Sequence, residues 1–527
     1  MESAKDYQFS RSQIYILFGV VIFILFFKLN SPPIYILDEA RNAQAGREMF
    51  HSGDWIVPTF NGELRSHKPV LHYWFMQPAY ALFGETAFAA RFFSAVLGVL
   101  TILITFLYTR KLFNQSVAYC SALALSLSTH FLFEFRLAVP DPYLIFFSTL
   151  GTFAAFTYLQ LGKRSQLYIA AAAFALATLA KGPVAVGLPG IALLLWVVWK
   201  KKWNKIFDWS LIVAAIIFVA VALPWYVAVH KATNGQWTEE FFFKHNFNRF
   251  SEEMEGHGGI FLITIAIVLI GMLPFTTFLG ELIKKRKTVF NNETVQFAAL
   301  VTLVFTIFYS VSSTKLPNYP MPCYPFFAIV LGAFISHLIN EKINSKKYPQ
   351  YILLFIMMGI PIAGYFAIEQ EVEAKHISWI ALTLLIAPIM FIAHLIQNLN
   401  ANWFRRIIII AIGYSFFNII FLHVVYPTLY EQNPVSKSIR LVNQYEHIYS
   451  YQIYNPGFNF YLNTNIKEYP SIDSIQAKLK KHPDALIISR KEFEAELKKI
   501  NLEVVAEHHD IFELPTTIIL KQNESKP

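Results

Sequence analysis

Cysteine and charge are both scarce in this chain, and each shortage excludes a class of protein. Only two of the 527 residues are cysteines, so we expect no disulfide framework of the kind that holds small exported domains together. Charged residues make up 15% of the sequence and apolar residues 55%, a balance outside the range of ordinary soluble domains. Nothing in the sequence resembles a nucleic-acid-binding module, so we expect no nucleic acid among its partners.

The sequence contains many long apolar runs. A helix needs about 20 apolar residues to cross a bilayer, and about thirteen segments meet that need. These segments are residues 13–29, 88–109, 115–133, 141–160, 166–180, 183–199, 209–229, 259–280, 295–312, 319–338, 350–367, 377–397 and 407–426. The first is followed by polar residues rather than a small-residue cleavage site, so we expect it to stay as an anchor. The sequence therefore predicts an all-α polytopic membrane protein with about 13 transmembrane helices.

Lysine and arginine residues cluster in alternate loops between these segments, and they predict how the chain lies in the membrane. The clusters are Arg110-Lys111, Lys163-Arg164, Lys200-Lys201-Lys202, Lys284-Lys285-Arg286-Lys287, Lys342 with Lys346-Lys347, and Arg405-Arg406. Because short basic loops stay in the cytoplasm, the pattern predicts a bacterial inner-membrane protein with a cytoplasmic N-terminus. The net charge of +9 then reflects this topology and an attraction to anionic membrane lipids.

Three longer stretches are predicted on the outer, periplasmic face. The first outer loop, residues 30–87, combines a polar helical stretch with an aromatic run, so we expect interfacial helices along the membrane surface. A loop that rests on lipid without catalytic duty is the alternative. The second outer loop is residues 230–258. After a membrane domain of residues 1–426, strand-like and helix-like runs alternate in residues 427–527, which predicts a small periplasmic α/β domain.

Carboxylates at the outer ends of the crossings are the strongest candidates for catalytic residues, because charge near a membrane is costly. Asp38 and Glu39 follow the first crossing, where a carboxylate can face an outer cavity and accept a proton or hold a divalent cation. In the alternative interpretation, Asp38 caps the helix that follows. Asp141 stands at the same predicted level, with a simple pairing to Arg136 as its alternative.

Cations near the same face are candidates for binding an anionic donor. Lys68, next to a proline, suits a lipid phosphate, and a snorkelling surface lysine is the alternative. The second outer loop interleaves aromatic residues with His245 and Arg249, a composition that can hold a prenyl chain and its phosphate, or form an interfacial helix. His67 and His245 are weak candidates for a divalent metal ion, because a lone histidine is a poor metal signal.

A second group of residues is predicted to line the outer cavity. Lys181 lies at the break between two crossings, where it contacts a lipid carrier or anchors the boundary. Lys315 and Tyr319 fall in a short proline-rich turn, and such backbone is costly in lipid unless it lines a cavity. The functional interpretation of this turn is therefore preferred to an ordinary tight loop.

These motifs and their order resemble the polytopic GT-C glycosyltransferases, the family that includes protein O-mannosyltransferases and the lipid A aminoarabinose transferase. The motifs, which span most of the membrane region, are Leu37-Asp38-Glu39-Ala40-Arg41, Gly46-Arg47-Glu48-Met49, Ser52-Gly53-Asp54-Trp55, Lys68-Pro69, Tyr73-Trp74, Ala180-Lys181-Gly182-Pro183, Pro224-Trp225 and Lys315-Leu316-Pro317-Asn318-Tyr319. The resemblance implies a lipid-phosphate sugar donor and these roles: Asp38 as the essential acid, Glu39 and Asp141 as further carboxylates, Lys68 and Arg249 as phosphate contacts, and Lys315 and Tyr319 in the same pocket. It does not carry over a metal site, because His67 replaces a glutamate of the lipid A enzymes and the spacing from His245 to Arg249 differs from theirs. Specificity for lipid A is not carried over either.

The predicted function is a glycosyltransferase that moves a hexose or pentose from polyprenyl phosphate to a periplasmic lipid A-like lipid, protein or glycan, with inversion. Lys68, Arg249 and Lys315 would bind and stabilise the departing phosphate. Asp38 would either deprotonate a hydroxyl acceptor or position a phosphate acceptor. A transporter or flippase is the alternative, and it predicts charges spread through the membrane depth rather than gathered at the outer boundary. A scaffold that acts through the tail leaves the first-loop carboxylates unexplained.

Overall fold

The computed structural model describes residues 7–247, 259–343, 345–397 and 402–523, and helices dominate them. Within those ranges, eight helices are long and apolar enough to cross a membrane, or nine if one sharply bent pair counts as a single span. The eight are Ala87–Leu112, Asp141–Leu161, Ser210–Ala232, Glu293–Val311, Met321–Ile339, Tyr348–Glu369, Lys375–Ala393 and Trp403–Tyr430. The bent pair is Leu262–Gly271 with Phe275–Lys284, and the shorter apolar helices are Arg11–Phe26, Gln115–Leu127 and Val184–Trp199.

Each of the predicted membrane segments overlaps a helix, and the weakest of them lies within Arg164–Lys181. A helical membrane region with many crossings is therefore confirmed, while the number thirteen stays a prediction because several helices are short. The predicted span 259–280 differs from the structure, where the chain bends by 111° between Gly271 and Phe275. Pro274 lies in this bend, and a proline cannot donate the hydrogen bond that would continue the helix.

Small residues let some of these helices approach closely. Gly332 packs against the helix Gln115–Leu127, and a Cβ atom at residue 332 would lie 2.5 Å from the backbone nitrogen of Ser121. Backbone atoms cannot move aside as a flexible side chain can. Helix association in a membrane depends on such close packing, because the lipid is as apolar as the helices themselves. This contact therefore requires glycine.

The first outer loop folds into two helices and a small hairpin. The helix Leu37–Ser52 ends where Gly53 adopts a left-handed conformation, with a φ of 67°, which glycine tolerates without strain. The strands Thr59–Phe60 (β1) and Glu63–Leu64 (β2) follow, and the helix Leu71–Phe83 completes the loop. The two helices agree with the prediction, whereas the hairpin is an addition to it.

The second outer loop packs on the first. Its described residues form the helix Gln236–Glu239 and the π-helix Glu240–Phe247. The buried indole of Trp237 donates from Nε1 to the carbonyl oxygen of Arg65 at 3.0 Å. Ser66 donates from its hydroxyl group to the carboxylate of Glu240. The segment around Arg65 is therefore held from outside by the second loop.

The tail forms a five-stranded mixed sheet with strand order β4-β3-β5-β7-β6. The strands are Ile448–Tyr451 (β3), Lys467–Tyr469 (β4), Leu486–Arg490 (β5), Leu502–His509 (β6) and Thr516–Gln522 (β7). β3 pairs in parallel with β4 and β5, while β5–β7 and β6–β7 are antiparallel. The main helices are Pro434–Val442, Gly457–Leu462, Ile472–Leu479 and Glu494–Lys498. The small α/β domain is confirmed, and its predicted boundary at residue 426 stays a prediction.

The tail domain packs directly on the first outer loop. Arg47 donates from Nη1 and Nη2 to the carbonyl oxygens of Phe460 and Asn459, at 2.7 Å each. Asn459 also donates from Nδ2 to the side-chain oxygen of Asn61 at 3.1 Å. The helix Leu37–Ser52, which carries Arg47, is thus fixed on one side by the tail domain.

Gly332→Ala is expected to destabilise the folded protein by about 1–3 kcal/mol, because the added methyl group meets the backbone of the neighbouring helix. Gly359→Ala is the matched control, since nothing lies within 4 Å of a Cβ atom there and that residue also lies in a long apolar helix. Thermal unfolding of both purified variants in detergent, followed by intrinsic fluorescence, measures the difference. Equal melting temperatures for the two variants would contradict the close packing.

Candidate active site

Asp38 lies in the first turn of the helix Leu37–Ser52 and belongs to a cluster of charged side chains that we call the recess: Asp38, Arg65, Lys68, Glu134, Asp141 and Lys181. Its carboxylate lies 3.5 Å from Nη2 of Arg65 and 3.7 Å from Nζ of Lys68. The Asp38 side chain is 48% exposed, whereas those of Arg65 and Lys68 are 4% and 10% exposed. An accessible carboxylate between two buried cations marks a concave surface. Asp38 does not cap the helix, because the residue at the cap position is Ile36.

The charges around Asp38 keep it ionised. Burial tends to raise the pKa of a carboxylic acid, but the positive charges of Lys68 and Arg65 outweigh this and hold the pKa of Asp38 well below its usual value. Lys181 acts in the same direction. At neutral pH, Asp38 is therefore a stable anion and a weak base.

Arg65 is absent from the predicted site, yet it is a firmly held cation of the recess. Its Nε donates to the hydroxyl oxygen of Tyr73 at 2.9 Å, and its Nη2 donates to Oδ1 of Asn42 at 2.9 Å. The one signal in the sequence is that Arg65 lies three residues before Lys68. Its burial depends on contacts with other segments, which no local pattern reveals.

Asp141 and Lys181 form a second charged pair in the wall of the recess. Nζ of Lys181 donates to Oδ1 of Asp141, and both side chains are largely buried. The same ammonium group lies 4.9 Å from the centre of the Tyr319 ring, a cation–π contact. Three predicted residues from three separate segments therefore come together.

Arg136 does not pair with Asp141, so that alternative is wrong. Its Nη1 donates to the carbonyl oxygens of Ile24 and Leu25, at 2.6 and 3.0 Å, near the end of the helix Arg11–Phe26. The last carbonyl groups of a helix lack partners within the helix and carry partial negative charge. The guanidinium group of Arg136 donates hydrogen bonds to these carbonyl groups and balances their negative charge. Arg136 is therefore a structural residue.

Glu134 is a third carboxylate of the recess that the predicted site lacks. It ends the short helix Thr129–Glu134, it is 5% exposed, and Asn318 is its hydrogen-bond partner. Burial, together with the negative charge of Asp141, raises the pKa of Glu134 well above its usual value. In the sequence, Glu134 is an isolated carboxylate within an aromatic run beside a predicted crossing, which is the signal that could have revealed it.

Glu39 is predicted to be catalytic, but its burial and its hydrogen bonds are those of a structural residue. Its side chain is 0% exposed, and its two oxygens accept hydrogen bonds from Arg91 at 2.7 and 2.8 Å. Oε1 also accepts the backbone amide of Ala138 at 2.9 Å. A carboxylate that is held on both oxygens and has no access to solvent cannot touch a substrate. We therefore revise the prediction, and assign Glu39 to positioning the neighbouring Asp38.

The remaining predicted residues contribute less to the described recess. Lys315 is partly buried, and its Nζ donates to the carbonyl oxygen of Ser312 at 2.6 Å. His67 is exposed, whereas Arg249 and the side chain of His245 lie outside the described residues. Within the described ranges, no three His, Cys, Asp or Glu side chains form a group able to hold a metal ion. A donor contact by Arg249 and a metal site stay predictions.

The charges of the recess define what it can bind. Arg65, Lys68 and Lys181 suit an anionic group such as a phosphate, because guanidinium and ammonium groups form strong, charge-assisted hydrogen bonds with it. The ionised carboxylate of Asp38 suits a hydroxyl group or a developing positive charge. The arrangement therefore fits a reaction in which a phosphate leaves a carbon atom that becomes positively charged.

This chain is similar to known families of membrane transferases. The model of the dolichyl-phosphate-mannose-protein mannosyltransferase family matches residues 67–225. The undecaprenyl phosphate-alpha-4-amino-4-deoxy-L-arabinose arabinosyl transferase of Edwardsiella ictaluri is 28% identical over 348 residues, which are 64% of this chain and 62% of that protein. This alignment thus spans less than two thirds of that relative. The transferase of the same description from Pseudomonas aeruginosa strain UCBPP-PA14 is 30% identical over 377 residues, 70% of this chain and 68% of that protein.

The fold is shared with solved structures of ArnT from Cupriavidus metallidurans. The structure bound to undecaprenyl phosphate has a TM-score of 0.81 at 20% identity, and the match covers 97% of this chain and 98% of that one. The structure in the apo state has a TM-score of 0.80. The relatives and the fold confirm the predicted resemblance to GT-C glycosyltransferases and the multi-pass inner-membrane location. The chain belongs to the family of undecaprenyl phosphate-alpha-4-amino-4-deoxy-L-arabinose arabinosyl transferases.

Proposed function

We propose that this chain is a glycosyltransferase that moves a sugar from a polyprenyl-phosphate donor to an acceptor in the periplasm. The observation that carries the proposal is the ionised, accessible carboxylate of Asp38, which lies 3.5 and 3.7 Å from Arg65 and Lys68. Transfer from a phosphate requires cations for the leaving group and an anion near the reacting carbon, and this recess contains both. The family and the fold favour such an enzyme over the transporter alternative.

Lys68 and Arg65 are the proposed contacts to the donor phosphate. Both side chains are almost fully buried, so their charges act where little water screens them and attract a phosphate more strongly than in bulk water. The names of the relatives support undecaprenyl phosphate as the lipid carrier and 4-amino-4-deoxy-L-arabinose as the sugar. The finer proposal is therefore a pentosyl transfer.

In the proposed reaction, an acceptor oxygen attacks the anomeric carbon as the bond to the donor phosphate breaks, with inversion. Negative charge grows on the departing phosphate, and cations that are already in place stabilise it. Positive charge grows on the sugar ring, as in other glycosyl transfers, and the Asp38 carboxylate stabilises that charge. Because its low pKa makes Asp38 a weak base, we assign it to charge stabilisation and acceptor orientation rather than proton abstraction. The proton of a hydroxyl acceptor passes to the departing phosphate, whose oxygen becomes more basic as the bond breaks, whereas an ionised phosphate acceptor has no proton to lose.

The recess is proposed to face the periplasm. Lys181 ends the helix Arg164–Lys181, and the opposite end of that helix carries a predicted cytoplasmic loop. Short basic loops stay in the cytoplasm, which supports a cytoplasmic N-terminus. The tail domain packs on the helix that carries Asp38, so an acceptor lipid, protein or glycan would meet both. We propose that residues 1–426 form the catalytic domain and that residues 427–527 help to place the acceptor.

Asp38→Asn is expected to lower kcat for sugar transfer by about a hundredfold or more, because the amide removes the negative charge beside the reacting carbon. Transfer from a labelled undecaprenyl-phosphate sugar, in membranes with matched protein levels, measures the effect. Asp484→Asn, an exposed change in the tail domain, is the control and is expected to keep the wild-type rate. A wild-type rate in Asp38→Asn would refute the proposed site.

Lys68→Gln is expected to lower kcat/KM for the donor by about tenfold to a hundredfold, because it removes a charged hydrogen-bond donor from the phosphate. The same transfer assay, run over a range of donor concentrations, separates kcat from KM. The exposed substitution Lys499→Gln controls for the loss of one positive charge from the whole protein. An unchanged kcat/KM would place the donor phosphate away from Lys68.

Glu39→Gln is expected to weaken the fold, because it leaves the buried guanidinium group of Arg91 without its counter-charge, at a cost of about 3–5 kcal/mol. Thermal unfolding in detergent measures this, with Glu63→Gln on the exposed edge of β2 as the control. A Glu39→Gln variant that melted like the wild type and yet lost all transfer would restore the catalytic role first predicted.

A further inference from the structure

Among the residues that the structure describes, three carboxylates and three cations share the recess, but the cations are distributed unequally. The six residues are Asp38, Glu134, Asp141, Arg65, Lys68 and Lys181. Two cations lie 3.5 and 3.7 Å from Asp38, and the third is bonded to Asp141. Among the residues that the structure describes, no cation lies within 4 Å of the Glu134 carboxyl group. Within the described structure, an ionised Glu134 would therefore have no cation in direct contact, and Lys181, which is bonded to Asp141, would attract it only from farther away.

The hydrogen bonds of Glu134 lead to the same conclusion. Asn318 bonds to the carboxyl group, but Oε1 is buried and has no hydrogen-bond partner in the described part of the chain. An ionised carboxylate with a bare, buried oxygen loses its hydration without replacement, which costs far more than burying the neutral acid. A buried carboxyl group in such surroundings keeps its proton.

We propose that Glu134 stays a neutral carboxylic acid and that its proton sets the net charge of the recess. With Glu134 neutral, the three cations exceed the two remaining carboxylates by one positive charge, which matches the single negative charge of a phosphodiester donor. With Glu134 ionised, the recess is neutral and the match is lost. Glu134 acts on the donor through the charge of the recess and is a positioning residue. This inference rests on the proposed function, which supplies the phosphodiester.

The groups that face Glu134 come from five other parts of the fold. They are Asp38 in the first outer loop, Asp141 and Lys181 at the ends of two membrane helices, Asn318 in the proline-rich turn, and Tyr324 at the start of the helix Tyr324–Ile339. Asp38 and Asp141 are each in contact with a cation, whereas Asn318 and Tyr324 are uncharged near neutral pH. In the described structure, Glu134 is therefore the acidic group of this set without a cation in direct contact, because Lys181 is bonded to Asp141 and attracts Glu134 only from a distance.

Infrared spectroscopy of the full-length protein in detergent tests the proton directly. The difference between the wild-type and Glu134→Gln spectra is expected to contain the carbonyl stretch of a protonated carboxylic acid at neutral pH. Glu293→Gln is the matched control, because Glu293 is paired with Lys200 at 3.3 Å at the far end of the helix Glu293–Val311. Its difference spectrum is expected to contain carboxylate bands only. A carboxylate signal for Glu134 at neutral pH would overturn the proposal.

Binding of a phosphodiester tests the consequence of that proton. The probe is undecaprenyl methyl phosphate, which keeps one negative charge throughout and undergoes no sugar transfer. Its affinity for the wild type is expected to fall about tenfold over the pH range in which the infrared band of the neutral acid disappears, because the ionised Glu134 adds a negative charge. Glu134→Gln keeps a neutral group, so it is expected to bind with the low-pH affinity throughout and to fold like the wild type.

The outcomes of the binding experiment separate this proposal from the proposed function. Equal pH dependence in the wild type and Glu134→Gln over the range in which that infrared band disappears would overturn the proposal, because both proteins contain the other five charged groups. Weak binding by Glu134→Gln at every pH, or a failure of this variant to fold, would also overturn it, since glutamine resembles the neutral acid. If no protein bound the probe, the proposed function would fail and the charge match with it, whereas the infrared result would stand by itself.

Discussion

The buried ion pair between Glu39 and Arg91 is the contact on which the geometry of the recess depends. Arg91 also donates to the carbonyl oxygens of Leu29 and Pro32, at 3.0 and 2.7 Å, where the chain leaves its first membrane helix. Glu39 in turn accepts the amide of Ala138, between the third and fourth predicted crossings. A buried ion pair stabilises a fold only when its remaining hydrogen-bonding groups are satisfied, as they are here. One pair therefore holds together three segments that line the proposed site.

Carboxylates that are close together in this protein have different properties because their surroundings differ. Successive helical residues point about 100° apart, so Asp38 faces the recess while Glu39 points into the protein. Asp38 has two cations beside it and is ionised, whereas Glu134 has no cation in contact within the described structure. Surroundings that push two pKa values apart give one site both an anion and an acid. The proposed mechanism uses this difference: the anion stabilises the reacting sugar and the acid adjusts the charge seen by the donor.

The membrane explains why these charges gather at the ends of helices. A charged side chain within lipid costs several kcal/mol, whereas at a helix end it can be covered by protein and still reach water. The tail domain and the second outer loop cover these charges. Hydrogen bonds of Arg47 and Trp237 join them to the first outer loop. Burial under this cover reduces the screening of Lys68 and Arg65 by water, which strengthens their proposed attraction to a phosphate. The parts outside the membrane therefore contribute to the electrostatics of the site.

Much of the fold could be predicted from the sequence, because a membrane-spanning helix requires a run of consecutive apolar residues, and such a run is visible in the sequence. The length of an apolar run predicts a helix, and a charge beside such a run stands out as costly, which is how Asp38, Asp141 and Lys181 were found. The parts of the site that could not be predicted depend on distant partners: Arg91 is 52 residues from Glu39, and Arg136 is 112 residues from Ile24.

The class of protein, the helical segments and most of the candidate charges can be read from the amino-acid sequence. The accessibility of Asp38, the burial of Glu39 and the lack of a cation in contact with Glu134 within the described residues follow from the folded arrangement. The reason is physical: the state of a charged group depends on its burial and on its distance to other charges, and folding sets both by bringing remote segments together.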